Sequence, residues 1–383
     1  MKKILFIISS HSWSTKERML LRDMLLAREQ GKDILLVAPL NSYISKEARD
    51  RHIQVYSFEK SFFNRLNFYH KHFSIKKILQ QNKIEVIHCY DFNLLFSLSF
   101  QLRRYPLISL ILTQEHAIDK PLQRFWYRPL ISRIDYLILS NKELMQDALG
   151  NLGLPPKKIE YFGMGLSTSL VKMSDDVEEK FQLYKEYFLV GTHLSPELES
   201  VSSLEPLFYA LHVLNEDRAY SQKKTKLILA TATELKNFPL LKDLRLKIDE
   251  LHLSEDVLFV STPNLEAVIP KVNLWVSNCH TELLEDYSLV ALMSDVPIIV
   301  GRNLCTMHLL KNYEGVGECY KLSDSRELRE AWRKVMLAEN VYISKIRLYK
   351  YFIEKEHDYK SYKRELRELY MRVHERRMRL FTP

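Results

Sequence analysis

Residues able to do chemistry gather, in this chain, where short apolar runs end. His116 stands beside Glu115 in Thr113-Gln114-Glu115-His116-Ala117, and Asp91 closes Val86-Ile87-His88-Cys89-Tyr90-Asp91. A histidine there can contact a reacting group near neutral pH, or hydrogen-bond the backbone of its own loop. An aspartate there can face a ligand or shape a turn. A third place is the helix start expected at Tyr287-Ser288-Leu289. Backbone N–H groups at a helix start bind phosphate without help from side chains. The formal net charge of +8 favours acidic partners such as nucleic acid, anionic lipid or phosphorylated small molecules. Against a phosphate site stands a scarcity of glycine. The chain has 9, where usage of about 7% would give about 27. Loops that cradle phosphate use glycine because it lets the backbone approach closely.

Such residues need elements to position them, and the sequence supplies these twice. With 383 residues, two domains are expected. In the first half, strands are expected at 3–8, 32–37, 54–56, 86–88, 107–113, 136–140 and 158–161, with amphipathic helices such as 16–29 and 142–149 between them. After a polar interdomain segment at 171–186 the scheme resumes. Strands are expected at 187–191, 226–231, 257–260, 274–276, 296–300 and 318–320, with helices such as 206–214 and 240–251. Alternation of this kind means an α/β fold, each sheet parallel and covered on both faces. The domains are then 1–170 and 187–340, followed by a helical tail at 341–383. In the tail Tyr359, Tyr362, Leu366, Leu369 and Tyr370 recur at helical spacing, which implies one packed face.

Other classes fit less well. Cys89, Cys279, Cys305 and Cys319 are far apart and form no CxxC pair, so they read as reduced thiols with no zinc site. The apolar run at 4–8 is too short for a signal peptide, and the stretch 94–113 is broken by Arg103-Arg104-Tyr105-Pro106. A cytoplasmic protein is the expectation. No nucleic-acid motif accompanies the basic charge.

The order of the strand-end blocks resembles the family-4 group of retaining GT-B glycosyltransferases. Ser14-Thr15-Lys16-Glu17-Arg18 stands where that family has a Gly-Gly-x-Glu-Arg turn. Gln30-Gly31-Lys32-Asp33-Ile34-Leu35-Leu36-Val37 is similar to its Gly-His-x-Val strand. The Thr113–Ala117 block resembles Thr-Glu-His-Gly, which places His116 on the family's active-site histidine. Gly163-Met164-Gly165-Leu166 matches the block closing the first domain, with Ser167 in place of an acidic residue. Val190-Gly191, Pro297-Ile298-Ile299-Val300 and the helix from Asp358 to Tyr370 continue the match. The resemblance implies two Rossmann-like, doubly wound domains facing a cleft, with the acceptor on the first and a nucleotide-sugar on the second. It implies roles for Ser14, Thr15 and Asp91 on the acceptor side, for His116 and Glu282 at the reacting sugar, and for Gly191, His193, Tyr287, Ser288 and Leu289 at the nucleotide. No cofactor and no metal are implied beyond the nucleotide-sugar co-substrate.

The pattern is worn in the second half. The family's Glu-x7-Glu motif ends seven residues before a proline. Counting back from Pro297 places Val290 at its second glutamate and Glu282 at its first. Starting the motif at Glu285 instead would make Met293 the partner. A valine accepts no hydrogen bond from a ribose hydroxyl. The family's basic pair after Gly191 is replaced by Thr192-His193-Leu194-Ser195-Pro196-Glu197-Leu198-Glu199-Ser200, where protonated His193 is the candidate cation. Gly-x-Gly after the next strand has become Ala230-Thr231-Ala232, and Ser261 replaces a further glycine. Glu282 reads equally as a sugar contact or as an acidic group near a helix start. Two functions therefore stand side by side: a retaining glycosyltransferase, and a catalytically degenerate relative kept for binding or assembly. Aromatic and basic residues interleave at 58–73 and again in Arg124-Phe125-Trp126-Tyr127-Arg128. They suit contact of the first domain with the anionic inner face of a membrane, or equally a core with solvated charges. The sequence assigns no oligomeric state.

Overall fold

The computed structural model describes residues 3–11, 13, 15–58, 68–114, 128–166, 181–195, 200–216, 223–232, 235–238, 240–262, 265–278 and 286–379. The chain divides into two compact units. One is Met1–Gly165 together with His357–Pro383, and the other is Leu166–Glu356.

In the first unit seven parallel strands form one sheet in the order β3-β2-β1-β4-β5-β6-β7. They are β1 (Lys3–Ile7), β2 (Asp33–Pro39), β3 (Gln54–Phe58), β4 (Val86–Cys89), β5 (Ser109–Gln114), β6 (Tyr136–Leu139) and β7 (Ile159–Tyr161). Helices α1 (Thr15–Glu29), α2 (Tyr43–Asp50), α3 (Phe68–Asn82), α4 (Leu95–Leu102), α5 (Arg128–Ile131) and α6 (Leu144–Asp147) lie between strands. The continuous apolar strand sequences follow from burial on both faces. Leu5, Ile7, Ile87, Leu110 and Leu137 join a core with Leu95, Leu98 and Leu144. Alternation with period two sends Phe6 and His88 to the opposite face, where their rings lie 5.4 Å apart.

The second unit repeats the design with six parallel strands in the order β10-β9-β8-β11-β12-β13. These are β8 (Phe188–His193), β9 (Thr225–Thr231), β10 (Val257–Ser261), β11 (Leu274–Ser277), β12 (Ile298–Gly301) and β13 (Gly317–Tyr320). Its helices are α7 (Glu205–Glu216), α8 (Leu241–Glu250), α9 (Asp286–Met293), α10 (Leu304–Asn312), α11 (Ser325–Leu337) and α12 (Glu339–His357). Both sheets are thus doubly wound and Rossmann-like, as the strand pattern led one to expect.

Local differences have local causes. The strand expected from 107 starts at Ser109, because Ile108 N–H is turned back onto Tyr105 O at 3.1 Å. The tail is not one helix. Asp358 interrupts it, its Oδ2 accepting Ser361 N–H at 2.7 Å, and α13 (Tyr359–Arg379) begins there. Tyr362, Leu366, Leu369, Tyr370 and Val373 form the buried face of α13.

That face carries hydroxyls into the first unit. Tyr362 OH donates to Asp23 Oδ1 at 2.7 Å, and Tyr90 OH donates to Asp23 Oδ2. The Arg22 guanidinium lies 4.4 Å from the Tyr362 ring centroid and donates to Met164 O. His88 Nδ1 meets Tyr370 OH at 2.9 Å, and His88 Nε2 meets Thr113 Oγ1 at 2.8 Å. Just before α13, His357 Nδ1 accepts Met164 N–H at 3.1 Å. Gly165, at φ +57°, completes the fit: a Cβ there would lie 2.5 Å from Tyr362 Cγ.

Burial pushes the His88 imidazole down to about 3. Unfolded, it protonates near 6.5, so protons favour the unfolded chain below that pH. The His88 contribution to stability is complete above pH 6.5 and is lost as pH falls toward about 3. We expect urea unfolding to show this loss as a slope of at most about 1.4 kcal/mol per pH unit. His88→Gln, which keeps a donor and an acceptor, is expected to flatten the acid limb. An unchanged limb would locate the titration elsewhere.

Candidate functional site

In doubly wound sheets ligands bind beyond the carboxyl ends of the strands, where the strand order reverses. The first unit has this switch between β1 and β4, and the second has it between β8 and β11.

At the first switch Asp91, just past β4, is buried. Its Oδ2 accepts Ser9 N–H at 2.8 Å and the Ser9 hydroxyl, while Oδ1 lies 3.4 Å from Lys16 Nζ. The aspartate therefore joins the end of β4 to the end of β1 and to the first turn of α1. Thr15 opens α1, is buried, and accepts Arg18 Nη2 at 3.3 Å. Ser9 and Lys16, the partners of Asp91, were not singled out in the sequence. A serine directly after the first strand and a lysine in the next helix's first turn were the available signals.

At the second switch His193 ends β8, and its ring centroid is 5.1 Å from that of Tyr287, edge to face. Tyr287 in turn packs against Trp275 at 6.1 Å. The structure thus brings His193 and Tyr287 together, with Ser288 and Leu289 following on the first turn of α9 and fully buried. Ser288 Oγ and Thr192 Oγ1 are buried with no hydrogen-bond partner among the described residues. Gly191 has a packing explanation. It lies within β8 beside Trp275, and an added Cβ would stand 2.8 Å from Trp275 Cε3 and Cζ3. Val290 is buried in α9.

The helix start differs from the expectation in one respect. Tyr287 N–H, one of three amides expected to face phosphate, is accepted at 3.0 Å by Asp286 Oδ1. A carboxylate of the chain already stands where an anion is favoured. His116, Glu282, Glu285, Ser14 and residues 196–199 lie outside the described residues, as does most of the 58–73 and 124–128 segments. Among the described residues no group of three or more His, Cys, Asp or Glu could hold a metal ion. No helix among them is long and apolar enough to cross a membrane.

Solved structures with the same fold are numerous. A glycosyltransferase from Rickettsia africae matches with a TM-score of 0.72 at 11% identity, over 97% of this chain and 98% of that one. Anabaena HepE in complex with UDP and glucose matches at 0.70 and 16% identity, over 97% and 100%. UDP-GlcNAc 2-epimerase from Neisseria meningitidis, bound to UDP-GlcNAc, matches at 0.64 and 10% identity, over 97% and 100%. No protein-family model matches the chain, and a search of curated proteins finds no match. At such identities the likeness establishes the fold: two Rossmann-like parallel-sheet domains, shared with glycosyltransferases of the GT-B type.

The packing at Gly191 gives a direct expectation. Gly191→Ala should cost about 1–3 kcal/mol in denaturant unfolding, because the Trp275 ring has to move. A change inside about 0.5 kcal/mol would show that the ring yields freely.

Proposed function

We propose that the chain is a glycosyltransferase that takes a sugar from a nucleotide-sugar and passes it, with retention, to an acceptor hydroxyl. The acceptor is lipid-linked or a surface polysaccharide. The second unit holds the donor, and the first holds the acceptor. The acceptor oxygen bonds to the anomeric carbon as the bond from that carbon to the diphosphate oxygen breaks. The acceptor proton leaves with the diphosphate. Charge develops on the diphosphate and calls for oriented N–H donors. The amide of Ser288 and the His193 ring supply them in this reading. Glu282 holds hydroxyls of the donor sugar, and His116 supports the reacting centre.

The observation that carries the proposal is the second switch point. There the His193 and Tyr287 rings meet at the start of a helix, and the next residue, Ser288, has a buried hydroxyl with no hydrogen-bond partner among the described residues. The fold shared with HepE, which was solved with UDP and glucose, supports a nucleotide-sugar as the ligand. The segments at 58–73 and 124–128 would bring the first unit to an anionic membrane surface.

A second reading has its own support. Asp286 Oδ1 takes the Tyr287 amide, and Val290 offers no acceptor to a ribose. A binding or assembly module without catalysis would tolerate both.

Calorimetry with uridine, guanosine and adenosine diphosphates, and with their sugars, separates the two. We expect one nucleotide series to bind, and Glu282→Ala to abolish transfer while the protein stays folded. Absence of binding across all three series would favour the second reading. Asp286→Asn removes a negative charge beside the proposed diphosphate. It is expected to tighten nucleotide binding by about threefold to tenfold. Weaker binding in that variant would mean that Asp286 serves the ligand instead of competing with it.

A further inference from the structure

Helix α12 (Glu339–His357) is apolar on two sides. Its inner face buries Tyr342, Ile346 and Ile353 in the second unit. A surface helix ordinarily turns a polar face outward. The outer face here carries Val341, Leu348, Tyr351 and Phe352, which are 60%, 63%, 66% and 58% exposed. Tyr351 and Phe352 pack edge to face, 5.7 Å between centroids. Leu337, at the end of α11, adds a further apolar side chain 61% exposed just before the helix.

The spacing makes this one stripe. Val341, Lys345, Leu348, Phe352 and Lys355 fall at i, i+4, i+7, i+11 and i+14, with Tyr351 at the flank. They run about 21 Å along the helix at 1.5 Å per residue. The charges within the stripe are both positive, Lys345 and Lys355. Arg347 and Lys350 stand to one side and pair with Asp295 at 3.1 and 2.9 Å. Glu356 lies on the other side, where its Oε2 accepts the Tyr313 hydroxyl at 3.1 Å. Glu354 also lies off the stripe.

From this arrangement we infer that the outer face of α12 is a docking surface for an anionic lipid bilayer. Leu348, Tyr351 and Phe352 enter the headgroup boundary, and Lys345 and Lys355 meet lipid phosphates. A helix lying in a membrane interface has this make-up: apolar and aromatic side chains at the centre, with lysines beside them. The charge argues against a second copy of the chain. A two-fold contact would bring the four lysines of two stripes together, with Glu356 at each stripe's edge as the nearest carboxylate. The shape argues against a peptide, since peptides are taken up in grooves or along strand edges. An exposed apolar helix face suits a fluid surface that closes around it, and the net charge of +8 adds long-range attraction. The inference stands apart from the glycosyl-transfer reading and from the membrane contact proposed for the first unit, because it rests on α12 alone.

The test is sedimentation of the full chain with phosphatidylcholine vesicles, with and without phosphatidylglycerol. We expect binding to the anionic vesicles, weakened by salt. Leu348→Glu with Phe352→Glu changes two exposed positions and should leave the fold intact, checked by circular dichroism. It is expected to lower the vesicle affinity about tenfold or more. Lys345→Glu with Lys355→Glu should abolish the preference for anionic lipid. Nucleotide titration of the same variants, expected to be unchanged, keeps the outcome separate from the functional reading. Vesicle binding undiminished in both variants would overturn the inference and leave membrane contact to the first unit. Self-association that Leu348→Glu with Phe352→Glu abolishes, without vesicle binding by the unaltered chain, would overturn it in favour of a second copy.

Discussion

The fold depends on one buried carboxylate and the hydroxyls that reach it. Asp23 on α1 is enclosed, and burial raises its carboxyl above the usual range even though the Arg22 guanidinium and the Tyr90 and Tyr362 hydroxyls act the other way. A buried acceptor left without donors costs about 1–3 kcal/mol, and more when charged. One of those donors comes from α13, 339 residues along the chain. The first unit is therefore completed when the chain, having left at Gly165 to build the second unit, returns at His357. His88 repeats the arrangement one strand away. An imidazole flanked by two hydroxyls stays satisfied while neutral, because a hydroxyl can give or accept. A helix held only by apolar packing could slide or rotate; these paired polar groups admit one register.

The same economy governs the two switch points. Helix starts there are places where an anion is favoured. In this chain carboxylates of its own stand at both: Asp91 near the first turn of α1 and Asp286 at the start of α9. A chain with 9 glycines has few positions where bare backbone can approach a ligand closely. Side chains fill the space instead, with Trp275 against Gly191 and the Tyr362 ring against Gly165. The glycines that survive at these two positions are explained by the ring each one accommodates.

The sheets were legible because short runs of three to seven residues alternate with helical periodicity, and that pattern is local. The buried face of α13 was legible for the same reason: Tyr362, Leu366, Leu369 and Tyr370 share a helical stripe. Their polar partners were not. His88 and Tyr370 are 282 positions apart, and nothing in either neighbourhood names the other. The resemblance started a helix at Asp358, but that its carboxylate caps the helix by accepting Ser361 N–H emerged only from the fold. In the candidate site, Asp91, His193 and Tyr287 could be placed at element ends from pattern alone. Whether a carboxylate faces a ligand or its own backbone depends on side-chain direction, which the pattern does not carry. That is why the Asp91 bond to Ser9 and the Asp286 bond to the Tyr287 amide emerged only from the fold.

The contrast between the units bears on what wear in such a site means physically. Loss of glycine around a phosphate loop removes close approach of the backbone, but leaves the helix dipole in place. A valine at position 290 offers a ribose no acceptor and creates no buried unsatisfied group. Neither feature strands a buried polar group, so neither is costly to the fold. Changes at Asp23, His88 or Tyr362 are of another kind, because each strands a buried polar partner. The polar groups that hold the first unit are thus distinct from those that would bind a nucleotide in the second. Divergence can erode the second set while the first keeps the two-sheet fold, and the fold alone does not settle the activity.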